Sequence, residues 1–294
     1  MTVGVIGNVR KPNVREVARR LLTILKAEHV AALVQDSLAS MLPKGTVEAS
    51  ASCQVSELAS RCNLLIALGG DGTMLTAARL VGGWGIPILG INMGKLGFLA
   101  EVSLDEWEDF VPEVVAGNFR VEERMCLSTV MKGAEDTFVS LNEIVIDRGS
   151  SPRVIELETY VDDEYLVTYS ADGIIVTTPT GSTAYSLASG GPIVVPHADV
   201  LMINPISPHS LTSRAVVIPS ASTVRIVVHA GITPVHITAD GQAEAFYETP
   251  AEFIVRKAPF TVRLVKRNAP TYFATLRKKL FWGKDIRTDR SSPA

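Results

Sequence analysis

Cysteine is scarce in this chain, with only Cys53, Cys62 and Cys126 among 294 residues, and none forms a close pair. That excludes a disulfide framework and a cysteine-built metal knuckle, and leaves three small thiols expected to be buried in a reducing cytoplasm. Long apolar runs are also missing; none approaches the roughly 20 residues of a membrane-spanning helix. The first residues, Met1 to Ile6, read as a strand with no basic segment leading into an apolar core, so no secretion signal is expected. Positive charge is not in excess: 28 Lys and Arg stand against 31 Asp and Glu, for a net charge of −3. Nucleic acid is therefore not an expected partner. His29, His197, His229 and His236 lack the mutual spacing of metal ligands, so no protein-held metal is expected. Two familiar nucleotide fingerprints are absent as well. The nearest approach to a Walker A loop, Gly90 to Leu96, has its glycines too close and Leu96 in place of the hydroxyl, and no G-x-G-x-x-G follows a strand.

What the chain does contain is 47% hydrophobic and 20% charged residues, the composition of one large or two ordinary globular domains. Its most informative segment is Gly69-Gly70-Asp71-Gly72-Thr73. Leu64 to Leu68 reads as a buried strand before it, and Met74 to Leu80 as a helix after it. Glycines at this density let backbone amides approach a ligand, and the start of a helix favours an anion. Asp71 is then a carboxylate beside a phosphate cradle. It would repel phosphate unless it holds a metal or takes a proton from a nucleophile, a pairing that points to phosphoryl transfer.

The first third alternates strand and helix. Val3 to Ile6, Val30 to Val34, Leu64 to Leu68 and Ile86 to Ile91 are predicted strands. Asn13 and Glu16 form a capping box for a helix whose apolar face is Val14, Val17, Ala18, Leu21, Leu22 and Leu25. Such alternation implies a parallel sheet covered by helices, with ligands at the carboxyl ends of its strands. After a helix over Leu104 to Val115 the pattern becomes β-rich. Strands are predicted at Leu127 to Met131, Phe138 to Ile146, Val154 to Val161, Tyr165 to Tyr169, Gly173 to Thr178, Ala215 to Ile218, Thr223 to Val228, Val235 to Ala239, Ala251 to Val255 and Thr261 to Val265. Asp162-Asp163 is a hairpin turn. One helix interrupts, near Ser182 to Ser189. A last helix, Tyr272 to Trp282, is expected to return to the first domain, with a frayed tail from Lys284. The predicted fold is thus an α/β domain with a parallel sheet (1–100 plus 268–294) and an all-β, sandwich-like domain (101–267).

Three further polar clusters stand out. Asn142-Glu143 interrupts the apolar run Val139 to Ile146; strand alternation puts one on each face, and burying such a pair costs desolvation unless something bonds to it. It is either an exposed Glu with a bulged Asn, or a ligand site. Thr177 to Ser186 carries seven hydroxyls, more than one helix cap at Ser182 or Thr183 needs, which suits polyol or phosphate recognition. Asp172 precedes it. Asp240-Gly241-Gln242 reads as a hairpin turn. His209, in a Pro-rich loop with Arg214 near, is a weaker phosphate candidate.

Together these segments resemble the NAD kinase family: GGDGT at Gly69 to Thr73, GINMGKLGFL at Gly90 to Leu99, NE at Asn142-Glu143, TPTGSTAYSLASGGP at Thr178 to Pro192 and DGQ at Asp240 to Gln242. GGDGT alone is shared with lipid kinases and phosphofructokinases; all five in this order are specific. The resemblance implies ATP-dependent phosphorylation of NAD at the 2′-hydroxyl of its adenosine ribose, with a divalent metal, magnesium, accompanying ATP. It implies Asp71 as catalytic acid–base group and Gly69, Gly70 and Thr73 as phosphate loop. Gly72, Asn142, Glu143, Arg153, Ser170, Asp172, Thr183, Ala184, Tyr185, Ser186, Leu187, Ala188 and Gln242 then contact the dinucleotide. Thr76 stands where many members have a basic residue, and Ser170 at a position linked to the choice between NAD and NADH. The family site lies between domains and often draws on a neighbouring subunit, so a homodimer or homotetramer is expected. The competing readings are a lipid or sugar kinase with the same loop, and a catalytically silent NAD(P) sensor.

Overall fold

A computed structural model describes residues 1–48, 51–94, 97–100, 102–229, 234–267 and 271–282. The expected tail from Lys284 lies outside these, as do Lys95 and Leu96 of the Gly90 to Leu99 segment. The first lobe contains β1 (Thr2–Gly7), α1 (Val14–Ala27), β2 (Ala31–Gln35), α2 (Asp36–Ala39), β3 (Ser52–Cys53), α3 (Val55–Arg61), β4 (Leu64–Gly69), α4 (Asp71–Val81) and β5 (Ile88–Asn92), with α5 (Trp107–Val115) following. The strands pair in parallel in the order β5-β4-β1-β2-β3. Every residue of β4 and β5 is buried, as a parallel strand covered on both faces demands. One face packs on α1 and α5 through Val14, Leu21, Trp107 and Phe110; the other packs on α3 and α4 through Leu58, Met74 and Ala77. The helix after Asn13 forms as its periodicity predicts, but Asn13 makes no side-chain cap and Glu16 pairs with Arg19 at 2.8 Å instead.

The β-rich lobe comprises β6 (Arg120–Met131), β7 (Thr137–Ser140), β8 (Glu143–Asp147), β9 (Ile155–Val161), β10 (Glu164–Ala171), β11 (Gly173–Thr177), α6 (Tyr185–Ala188), β12 (Val200–Ile206), β13 (Val216–Pro219), β14 (Val224–Val228), β15 (Val235–Ala239), β16 (Ala243–Tyr247) and β17 (Ala251–Lys266). Six of these form one antiparallel sheet, β13-β12-β11-β8-β15-β16. It packs on strands β9, β14 and β17 across a core that includes Leu127, Ile144, Leu157, Ile174, Ile226 and Phe253. The Asp162-Asp163 turn forms as read, both residues in the left-handed region at φ 51 and 67.

Several elements differ from the sequence-based expectation. The two strands predicted within 251–265 are one strand, β17, with an irregularity between Lys257 and Thr261. Its last residues pair in parallel with β5 at Leu264–Ile88, so the sheet runs unbroken from one lobe into the other. Strand β12 was not expected, because Asn204 and Pro205 resemble loop residues; Pro205 nonetheless sits inside it, opposite Ile174. Strand β16 is the second arm of the hairpin expected at Asp240 to Gln242, although its own residues lack a strong apolar alternation. The run Phe138 to Ile146 is not one strand but two, β7 in the large sheet and β8 in the smaller, separated at Leu141-Asn142. Finally, α7 (Tyr272–Leu280) buries Thr275 and Leu276 and brings Lys279 back to the first lobe, 3.9 Å from Asp71 and over the ring of Phe98.

Candidate active site

The carboxyl ends of β1, β4 and β5 converge where their chains turn: Asn8 N–H donates to Leu68 O and Met93 N–H to Gly69 O, both at 2.9 Å. Helix α4 starts at Asp71, three residues earlier than the sequence suggested, with Gly70 as its N-cap. No residue from Gly69 to Gly72 needs a left-handed φ. The glycines serve by leaving room. Among the described residues, a Cβ on Gly70 would meet nothing within 4 Å, and one on Gly72 would meet only the Gln242 amide at 4.0 Å. Thr73 and Met74 donate to Gly70 O, whereas the Asp71 and Gly72 N–H groups have no intrahelical partner at the positive end of α4. A cleft of about 510 Å³ opens here, lined among others by Asn8, Lys11, Gly70, Gly72, Thr73 and Thr76.

Asp71 is held by the chain that follows β5. Leu99 and Ala100 N–H donate to Oδ1 at 3.0 and 3.2 Å, and Phe98 N–H donates to Oδ2 at 2.8 Å. A Cβ on Gly97 would lie 1.9 Å from Oδ1, so only glycine permits this cradle. A carboxylate has about four acceptor directions. Three are taken, which leaves one on Oδ2, the oxygen that Lys279 approaches. The side chain keeps 31% of its exposure. The GINMGKLGFL segment, read as a match without a role, thus supplies the amides that aim the carboxylate; backbone donors carry no sequence signal, which is why the role could not be read.

The second group of residues surrounds Glu143. Asp240 accepts from three successive N–H groups, Leu141, Asn142 and Glu143, at 2.9, 2.8 and 3.1 Å. Those amides are diverted from strand pairing, which is the physical reason the predicted single strand breaks here. Glu143 is buried, not exposed as one reading had it, and its Oε2 has no hydrogen-bond partner among the described residues. Burial first, then the nearby Asp240 carboxylate, push its pKa up to about 8, against a hydrogen bond from the Tyr185 backbone. Burial pushes the Asp240 carboxyl up as well, but its three amide donors oppose the shift, so Glu143 is the member of the pair that holds the proton first.

That assignment makes stability depend on pH. An unfolded Glu releases its proton near 4.5 and the folded one near 8, so between these values the native state binds more protons. The stabilising effect is complete below 4.5 and is lost as pH rises through 8. Thermal unfolding followed from pH 6 to 9 should show the melting temperature falling with pH, and Glu143→Gln should flatten that fall. An unchanged slope in the variant would contradict the protonated state.

The hydroxyl-rich segment differs from its expected use. Thr177 Oγ1 donates to Asn142 O and Thr178 Oγ1 to Leu141 O, at 2.9 and 2.7 Å, stapling the strand break. Ser182 Oγ donates to Pro179 O and accepts from Val194 N–H, so it caps no helix. The predicted single helix is a 3₁₀ turn, Thr180–Thr183, followed by α6. Gly181 packs so closely that a Cβ would stand 2.3 Å from Asn142 O. Ser186 is fully buried; Thr183, Ala184 and Leu187 are half-buried, and Tyr185 and Ala188 are exposed.

Tyr185 is exposed overall, yet partial burial of its phenol, and then the charges of Asp147, Asp172 and Glu143, push its pKa up. Asp172 accepts from Arg148 Nε at 2.7 Å. Ser170 accepts at its carbonyl from His209 N–H and lines a separate cleft with Ser210, Thr212 and Arg214. Arg153 is exposed on the β8–β9 connection, and no hydrogen bond or ion pair among the described residues ties its guanidinium to the cluster. Gln242 bonds to Gly72 and Thr76. The structure therefore brings together Asp71, the glycine loop and Gln242 on one side, and Asn142, Glu143, Tyr185 and Asp172 on the other. Asp240 was read only as a turn residue of its motif, and Lys11, Lys279 and the 98–100 amides were not singled out for chemistry.

The chain resembles known proteins over nearly its whole length. Residues 3–119 match the ATP-NAD kinase N-terminal domain and residues 141–267 the ATP-NAD kinase C-terminal domain. An NAD kinase of Moorella thermoacetica is 40% identical, covering 99% of this chain and 93% of the relative. One from Heliobacterium modesticaldum is 40% identical, covering 96% and 99%. Yeast NADH kinase complexed with NADH superposes with a TM-score of 0.88 at 26% identity, covering 98% of this chain and 89% of that one. The Archaeoglobus fulgidus NAD kinase in complex with ATP shares the fold, with a TM-score of 0.76 at 23% identity over 96% and 99%. Two family domains in order, a caged GGDGT aspartate and near-complete coverage by relatives make this chain a member of the NAD kinase family.

Proposed function

We propose that the protein transfers the terminal phosphoryl group of ATP to the 2′-hydroxyl of the adenosine ribose of NAD, forming NADP. The observation that carries the reading is Asp71: a half-exposed carboxylate locked by three amides, with one acceptor direction left beside an open glycine loop. A carboxylate is far too weak a base to ionise a sugar hydroxyl beforehand. Phosphoryl transfer is largely dissociative, so the proton need leave only late. Asp71 Oδ2 accepts the hydroxyl hydrogen bond, aligns the oxygen in line with the phosphorus, and takes the proton as the new P–O bond forms. Gly69, Gly70, Gly72 and Thr73 let the phosphates approach the start of α4. Lys11 and Lys279 place positive charge on either side, where the helix itself carries Thr76.

Asn142, Glu143, Asp172 and the Thr183 to Ala188 stretch hold the dinucleotide. The unpartnered Glu143 Oε2 faces a desolvation cost that a ligand hydroxyl would relieve. Magnesium travels with ATP and neutralises charge on its phosphates; among the described residues no three acidic, His or Cys side chains cluster to hold a metal unaided. In this division of labour residues 1–100 with 268–294 handle phosphate and 101–267 hold the dinucleotide. Arg153 and Ser170 stand apart from Asp71 and complete a site shared between copies in a homodimer or homotetramer, a reading supported by the exposed Leu211, Val217 and Phe246 of the β-rich lobe. The substrates place the reaction in the cytoplasm; no helix among the described residues is long and apolar enough to cross a membrane.

The test is direct. Incubation with NAD, ATP and magnesium should yield NADP, detected by an NADP-specific dehydrogenase; chelation should stop it and added magnesium restore it. Lipid and sugar acceptors should remain unphosphorylated. Binding of NAD without turnover would overturn the reading in favour of a sensor.

A further inference from the structure

The turn between β15 and β16 touches both halves of the site. Three residues, Asp240 to Gln242, connect the paired Ala239 and Ala243; Asp240 and Gly241 adopt left-handed φ values of 53 and 60, and the Gln242 N–H closes the turn on Ala239 O at 3.0 Å. Asp240 holds the Leu141 to Glu143 amides through its carboxylate, and its own N–H donates to Glu143 O at 3.0 Å. Two residues later the Gln242 side chain reaches the other lobe. Its Nε2 donates to Gly72 O at 2.7 Å, and its Oε1 accepts from Thr76 Oγ1 at 3.0 Å. Gly72 is the residue after Asp71, and Thr76 is one turn further along α4. Both ends of the amide are therefore engaged by the helix that begins with Asp71, although the family resemblance would assign Gln242 to the dinucleotide.

We infer that Gln242 is a positioning residue: its amide, held between the Gly72 carbonyl and the Thr76 hydroxyl, registers the first turn of α4, and with it Asp71, against the Asn142-Glu143 segment fixed by Asp240. The inference rests on the NAD kinase reading for its kinetic consequence, and on hydrogen bonds alone for the strut. The rigid turn is what lets one side chain act this way. With Asp240 and Gly241 confined to one backbone region, displacement of Gln242 moves the Asp240 carboxylate as well. The acceptor ribose must lie within hydrogen-bond reach of Oδ2 while the same dinucleotide is held on the other side, so an error in the gap between lobes becomes an error in attack distance. A misplacement of about 1 Å in a reacting pair costs on the order of a hundredfold in rate.

The experiment compares Gln242→Leu, Thr76→Val, the double variant and Gln242→Glu in the full chain. Readouts are kcat with saturating ATP and magnesium, the Kd for NAD without ATP, and the melting temperature. For a positioning role, Gln242→Leu should lower kcat by about ten- to a hundredfold with the Kd for NAD changed by about twofold at most. Thr76→Val should lower kcat in the same direction, and the double variant should be no worse than Gln242→Leu, because one coupled unit is broken once. Gln242→Glu sets an oxygen against the Gly72 carbonyl at neutral pH. Its activity relative to wild type should rise as pH falls, since the protonated carboxyl regains a donor. A Kd for NAD raised about tenfold with kcat intact, or additive effects of the Thr76 and Gln242 changes, would overturn the inference in favour of a direct ligand contact. If Gln242→Leu does not fold, Thr76→Val and the pH profile of Gln242→Glu decide. If the wild-type chain makes no NADP, the functional reading fails; the strut then stands on non-additive melting temperatures of Thr76→Val and Gln242→Glu and falls if they add.

Discussion

Asp71→Asn is expected to lower turnover by about a hundred- to ten-thousand-fold, the usual contribution of a positioned proton acceptor. Asparagine has nearly the same shape but offers one acceptor oxygen where the native carboxylate meets three amides. If that oxygen keeps Leu99 and Ala100, the new NH₂ group faces the Phe98 N–H, donor against donor. The variant therefore loses both the proton acceptor and part of the cradle, at a stability cost of about 1–3 kcal/mol for the unpaired group. The affinity for NAD should change little, because Asn142 and Glu143 are fixed by Asp240 and not by Asp71. Single-turnover kinetics, an NAD titration and thermal unfolding separate the three effects. Turnover at the wild-type rate would remove Asp71 from the chemistry.

Gly181→Ala is expected to destabilise the fold strongly. Its Cβ would stand 2.3 Å from Asn142 O and 2.4 Å from Thr177 Oγ1. The first is backbone in the strand break, and the second is a buried hydroxyl already bonded to the same carbonyl. Neither is the far end of a flexible side chain, so relief requires moving the segment. Overpacking of this kind costs about 1–3 kcal/mol or more, and the shift displaces Asn142 and Glu143 together. Thermal unfolding should show a clear loss, and the Kd for NAD should rise. Gly83→Ala is the control: its nearest atom, Phe260 Cδ1 at 3.5 Å, is in ordinary contact, so stability should be almost unchanged. Equal losses in the two variants would show that the tight fit at Gly181 is not what matters.

Local pattern carried much of the fold. The apolar face of α1, the fully apolar β4, the glycine loop after it and the Asp162-Asp163 hairpin are short-range features, each set by side-chain spacing or turn chemistry within a few residues. The order of strands and helices from β1 to β5 already implied a parallel sheet with its site at the strand ends. The five motifs placed the chain in its family, and their positions meet at one cleft or beside it.

What stayed hidden involved partners far apart in the chain. The break at Leu141-Asn142 exists because Asp240, about a hundred residues later, takes three amides out of the ladder. The hydroxyls of Thr177 and Thr178 looked available for a ligand, yet they staple that same break. Pro205 reads as a loop residue until β11 and β13 flank its strand. The aim of Asp71 depends on amides that any residue can offer, with only the bare Cα of Gly97 leaving a trace. Sequence by itself determined which chemistry is carried and which strand ends carry it, since side-chain identity and local periodicity suffice for that. Tertiary structure alone decided which groups are free to meet a ligand, because a hydrogen bond formed across the fold removes a donor or acceptor that the sequence shows as available.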